Sequence, residues 1–170
     1  MREILFRGKR ANDGRWIEGY YMHHLNRMAS PCDGIKPEDE DHIILNDGFA
    51  DWNMPRDIVY THVDPETVGQ YTGLQDKNGK RIFEGDILAF PDTGEDGYEY
   101  KEGYDFTNVA TVCWNNSRWE LDDFGDENSG VMDDMDYWHL TFVEIFPVSE
   151  IIGNIHDNPE LIGGNANEVP

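Results

Sequence analysis

The chain has little with which to staple or anchor itself. Its 170 residues include two cysteines, Cys32 and Cys113, with no Cys-x-x-Cys spacing between them. They read as reduced, structural thiols of a reducing compartment, although sequence alone leaves a bridge between them open. A chain of this size buries roughly 70% of its unfolded surface, so it needs neither a disulfide nor a metal staple. Long apolar runs are missing as well. The stretch MREILFRGKR is too short in apolar residues for a signal peptide, and charge interrupts every longer stretch, which leaves no membrane span and a cytoplasmic expectation. Positive charge is the scarcest resource. Thirteen Lys and Arg face thirty-five Asp and Glu, a net charge of −22, and no Lys or Arg follows Arg118. Residues 1–91 carry 11 basic and 16 acidic groups, whereas residues 92–170 carry 2 and 19. Nucleic acid rewards cations that neutralise phosphates, so it is disfavoured as a partner; a basic protein surface or a divalent cation is attracted instead.

Catalytic signatures are also absent. There is no Walker spacing, no His-Glu-x-x-His and no EF-hand pattern, and the six histidines (His23, His24, His42, His62, His139 and His156) fall in no ligand spacing. The sequence therefore offers no catalytic, cofactor-binding or metal-binding residues, and the balance leans away from an enzyme.

What is present is a succession of strand and turn signals. Ile4–Arg7 and Arg15–Tyr21 flank Asn12-Asp13-Gly14, the pattern of a hairpin. Residues 26–41 are broken by Pro31, Gly34 and Pro37 and end in EDED, which reads as a loop. His42–Leu45, Ile58–Val63 and Ile87–Phe90 read as strands. Val109–Trp114 and Arg118–Leu121 form a hairpin about Asn115-Asn116, and the nearly continuous apolar run Tyr137–Phe146 reads as a buried strand. Asn158-Pro159-Glu160-Leu161 suits one helical turn with Asn158 as cap, and residues 163–170 a frayed tail.

Asp76-Lys77-Asn78-Gly79 has Asp and Gly where a type I turn with a left-handed glycine wants them, a hairpin loop with a bulge. In Phe83-Glu84-Gly85-Asp86-Ile87-Leu88 the aspartate is placed to bond local N–H groups at a bend into a strand. The chemical alternative makes Glu84 and Asp86 an acid–base pair or shared ligands of a divalent ion, since residues two apart on a strand face the same way. The acidic stretches 92–106 and 122–136 read first as solvated loops. If a partner docks on them, the residues concerned are Asp122, Asp123, Asp126, Glu127, Asp133, Asp134 and Asp136.

Three blocks stand out: Arg2–Arg10 with Gly14–Tyr20; Glu66–Leu74 with Asp76–Lys80 and Glu84–Ile87; and Ile151–Leu161. Together they resemble the YopX family of phage and prophage proteins. The resemblance implies a mainly β fold: a small SH3-like β-barrel with an additional N-terminal β-subdomain and few short helical turns. The expected organisation is an N-terminal β-subdomain over 1–75, the barrel with its acidic loops over 76–162, and the tail. It brings no catalytic residue and no cofactor. The function expected is a non-enzymatic accessory protein of phage type that binds another protein, with a carboxylate- or metal-assisted hydrolase or a self-assembling structural module as the alternatives.

Overall fold

The computed structural model describes residues 3–27, 34–48, 53, 56–91, 107–123 and 145–162. The chain divides into two compact units, Met1–Tyr71 and Thr72–Pro170.

In the first unit, β1 (Phe6–Lys9) and β2 (Trp16–Leu25) form the hairpin expected around Asn12-Asp13-Gly14, in register from Phe6 opposite Gly19 to Lys9 opposite Trp16. The turn is closed by Arg10 N–H on the Arg15 carbonyl (2.9 Å) and Gly14 N–H on the Arg10 carbonyl (2.9 Å). β2 then runs well past Tyr21 and pairs with β3 (Glu40–Asp47), and β3 pairs with β4 (Ile58–His62). The start of β5 (Gly69–Gln75) pairs with β1, giving the order β4-β3-β2-β1-β5 with β4 at the edge.

The loop expected over 26–41 needs correction at its end. Pro37–Asp39 is a 3-10 turn, and Glu40 and Asp41 open β3. Buried Asp39 explains the change. Its carboxylate is gripped by the Arg27 guanidinium, through Nε and through the second nitrogen at 2.7 Å, and it accepts the Lys36 N–H at 3.0 Å. The Arg27 hydrogen bond outweighs burial and holds the Asp39 carboxyl below its ordinary pKa. An acidic run that looked like solvated loop is thus folded back, and the next residue enters the sheet.

At Gly19 the backbones of β2 and β3 approach each other closely. A Cβ there would lie 2.2 Å from the Leu45 carbonyl oxygen and 2.8 Å from Ile44 Cγ2, so no other residue fits without parting the strands. This unit buries Ile44 fully, along with Val63 and Leu5, and packs the Phe6 and Tyr21 rings with centroids 5.4 Å apart.

The second unit contains the rest of β5, β6 (Arg81–Phe83), β7 (Asp86–Pro91), β8 (Thr107–Asn115), β9 (Arg118–Asp122) and β10 (Glu150–Asn154). Four of these make an antiparallel sheet in the order β10-β7-β8-β9. Period-two alternation puts Leu88, Phe90, Ala110, Val112 and Trp119 into one core with Ile82 and Phe146. Full burial of each Leu, Ile, Val or Phe among them contributes about 1.5–3 kcal/mol.

The expected turns are present, one of them displaced. Asp76-Lys77-Asn78-Gly79 closes β5 onto β6, with Gly79 at φ 78° and its N–H on the Asp76 carbonyl at 2.9 Å. The β8–β9 turn is centred on Asn116-Ser117 rather than Asn115-Asn116. Both central residues have positive φ (47° and 65°), as a two-residue type I′ hairpin requires, and Asn115 is already paired with Arg118.

The strand expected over Tyr137–Phe146 lies mostly outside the described residues. Its last residue does not extend it: Phe146–Val148 is a 3-10 turn, because Pro147 has no N–H to give a ladder. Pro159–Leu161 is also a 3-10 turn, but the Asn158 side chain does not cap it; the Asn158 carbonyl accepts the Leu161 N–H at 3.1 Å. The expected tail, 163–170, is outside the described residues.

The protein is therefore mainly β, in two antiparallel sheets, with helix confined among the described residues to short turns. Neither sheet closes into a barrel among those residues, so the coarse expectation holds and the SH3-like closure is not displayed. No helix of the described residues is long and apolar enough to cross a membrane.

Candidate functional site

The densest chemistry among the described residues lies on the paired strands β2 and β3. Register places His23 directly opposite His42, and Glu40, two residues before His42, on the same face. One donor atom from each of the three lies within 4.8 Å of the others. The Glu40 carboxylate is 3.4 Å from His23 Nε2 and 3.6 Å from His42 Nε2. The two imidazoles stack almost parallel, with centroids 4.4 Å apart and planes 6° apart. Next along the face, the Tyr21 hydroxyl meets His42 Nδ1 at 2.5 Å. Burial, and then the nearby Glu40 charge, raise the Tyr21 pKa, so the phenol stays protonated.

The opposite face repeats the composition more loosely. His24 Nε2 is 3.7 Å from Asp41, and His62 Nδ1 on β4 is 3.9 Å from the other oxygen of the same carboxylate. Two further rungs, Tyr20–Leu45–Tyr60 and Met22–Ile43–His62, complete that face. It carries an apolar band open to solvent, in which Tyr20 is 59% exposed, Tyr60 64% and Ile58, at the start of the edge strand, 73%.

Local motifs could not show either histidine group. His23 lies seventeen residues from Glu40 and nineteen from His42, and His24 seventeen from Asp41, while a loop reading of 26–41 takes Glu40 and Asp41 out of any strand. A signal was nonetheless available in the doublets His23-His24 and Glu40-Asp41, because alternation turns each doublet to both faces of a sheet.

The residues singled out from sequence fare differently. Asp122 ends β9, exposed, and Asp123 follows it at φ 52° with its N–H on the Asp122 carboxylate at 2.8 Å. Asp126, Glu127, Asp133, Asp134 and Asp136 lie outside the described residues, as does the whole loop 92–106. Glu84 and Asp86 do not form an acid–base pair free for chemistry: Asp86 is 1% exposed and its carboxylate accepts the Phe83 N–H at 2.8 Å, holding the bend in which Gly85 sits at φ 79°. Cys113 behaves as a small hydrophobe. Burial, followed by the charges of Asp122, Glu120, Glu84 and Asp123, pushes its thiol up to about 11.

Asp76 is the other heavily used carboxylate. It is buried, and it accepts the N–H groups of Asn78 (2.9 Å), Lys80 (2.8 Å) and, from β10, Ile151 (3.3 Å). Burial pushes its pKa up, but these three donors, with the Lys80 charge, hold it below the ordinary carboxylate value. The loop is further tied down by Lys77, whose ammonium meets Glu150 at 2.6 Å and whose N–H meets the Ser149 carbonyl at 2.9 Å.

No curated protein matches the chain. Among solved structures, the crystal structure of protein EF1440 from Enterococcus faecalis is similar at 20% identity, covering 95% of this chain and 99% of that one with a TM-score of 0.46. A family model described as YopX protein matches residues 6–163, nearly the full length, and the chain therefore belongs to the YopX family.

Proposed function

We propose that this YopX protein is a phage or prophage accessory protein that binds another protein rather than catalysing a reaction, in the cytoplasm of a bacterial host. The observation that carries the reading is the solvent-facing band of Tyr20, Tyr60 and Ile58 beside β4, the edge strand of its sheet among the described residues. Large apolar side chains grouped at a sheet edge mark an interaction surface, and an extended segment can add to such an edge through backbone hydrogen bonds. The net charge of −22 favours a basic partner, with Asp122, Asp123 and the acidic residues that follow them supplying the attraction. The finer architecture that goes with this reading is an SH3-like barrel over 76–162. The hydrolase alternative built on Glu84 and Asp86 loses its support, since Asp86 is committed to a bend.

Immobilised protein is compared with the double variant Ile58→Lys/Tyr60→Glu in capture from host lysate at low and high salt. The reading expects a captured protein that is lost with the variant and weakened by salt. Capture of nothing, or equal capture by the variant, overturns it. Self-association that the variant abolishes assigns the edge to a self-assembling module instead.

A further inference from the structure

We propose that His23, Glu40 and His42 form a binding site for a divalent first-row transition ion of the zinc, cobalt or nickel type, on the face of the β2–β3 pair opposite the apolar band. The donor set is the first argument. Two imidazoles and one carboxylate suit a borderline-soft ion, whereas magnesium and calcium prefer sites made wholly of oxygen. Spacing is the second. Donors bound tetrahedrally to one zinc at about 2.1 Å stand roughly 3.4 Å from one another. The Glu40 carboxylate is already 3.4 Å from His23 Nε2 and 3.6 Å from His42 Nε2. The third argument is support. A histidine ligand is held by a partner on its other ring nitrogen, and the Tyr21 hydroxyl takes that place on His42 Nδ1 at 2.5 Å.

One adjustment is required. The rings lie 6° from parallel, so their nitrogen lone pairs run side by side instead of converging. His42 is partly buried and tied to Tyr21, but the His23 side chain is 46% exposed and has room to rotate. Binding therefore breaks the imidazole stack by turning His23 while His42 and Glu40 stay in place. Three protein donors leave a coordination position to water, or to a side chain of a partner.

Cobalt(II) titrated into the full-length, metal-free protein tests the site, read by its visible d–d bands and by calorimetry, with millimolar magnesium present. One ion per chain is expected. His23→Gln and Glu40→Gln should each weaken binding by about 100-fold or more, and Tyr21→Phe by roughly tenfold with the bands retained. The double variant His24→Gln/His62→Gln, on the other face, should bind as the parent does. Far-UV circular dichroism of each metal-free variant confirms that its fold is intact. Absence of binding overturns the proposal. So does binding that survives both His23→Gln and Glu40→Gln, which would place the ion on the acidic loops. Loss of binding in the His24→Gln/His62→Gln variant overturns it as well.

Discussion

Removing the Asp76 carboxylate should cost the second unit a large part of its stability, and only where that carboxylate is ionised. The group joins two places far apart in sequence: it closes the turn through the N–H groups of Asn78 and Lys80 and reaches the Ile151 N–H on β10. Hydrogen bonds to a charged group contribute about 1.5–3 kcal/mol each. In Asp76→Ala the exposed Asn78 and Lys80 amides recover water, so the loss is far from the sum of three; about 3 kcal/mol is the expected figure. Asp76→Asn keeps one acceptor and should fall near half of that.

The pH dependence follows from the direction of the shift. A carboxyl whose folded pKa is depressed adds stability that is complete above the unfolded value, near 3.9, and that disappears as pH falls through the lower folded value. Urea unfolding followed by tryptophan fluorescence, at pH 7 and in steps below pH 4.5, measures the gap between parent and Asp76→Ala. The gap should be widest at pH 7 and shrink steadily in acid. A difference under about 0.5 kcal/mol at pH 7, the range of an ordinary surface change, or a gap that does not alter with pH, would refute the reasoning.

Ser117 holds φ 65° in the β8–β9 turn, a conformation that glycine adopts without a Cβ penalty. Ser117→Gly creates the preferred Asn-Gly type I′ turn and should stabilise by roughly 0.5–1 kcal/mol, seen as a higher urea midpoint. Cys113, with its thiol pushed up to about 11, should react with a disulfide reagent at pH 8 about 100-fold more slowly than an unhindered cysteine when assayed in a Cys32→Ser background.

What could be read from the sequence was what short-range chemistry decides. The Asn12-Asp13-Gly14 hairpin, the Asp76–Gly79 loop and the bend at Asp86 are set by residues within four positions of one another, and all three take the expected form. The Asn115–Ser117 turn was found but misplaced by one residue. Asn tolerates positive φ at either position, and the deciding choice, Ser117 in the second left-handed slot, goes against the usual preference for glycine. The histidine site depends instead on which residue of β2 faces which residue of β3, and nothing nearby in the sequence reports that. Its one acidic ligand was hidden in a run that resembles solvated loop, because the pairing of Arg27 with Asp39 acts across twelve residues.

Doublets run along both of these strands: Tyr20-Tyr21 and His23-His24 on β2, Glu40-Asp41 and Ile43-Ile44 on β3. Sliding the chain by one residue would carry tyrosine onto tyrosine, histidine onto histidine, acid onto acid and isoleucine onto isoleucine. The usual penalty for a misaligned sheet, apolar residues turned outward, is largely cancelled here. Alignment then rests on shape more than on polarity. Gly19 acts as the index pin, since only a residue without a side chain can sit against the Leu45 carbonyl, and a shifted chain would bring Glu18 or Tyr20 to that spot. A glycine that contributes nothing to the chemistry thereby decides which of two near-equivalent histidine sets is presented on which face.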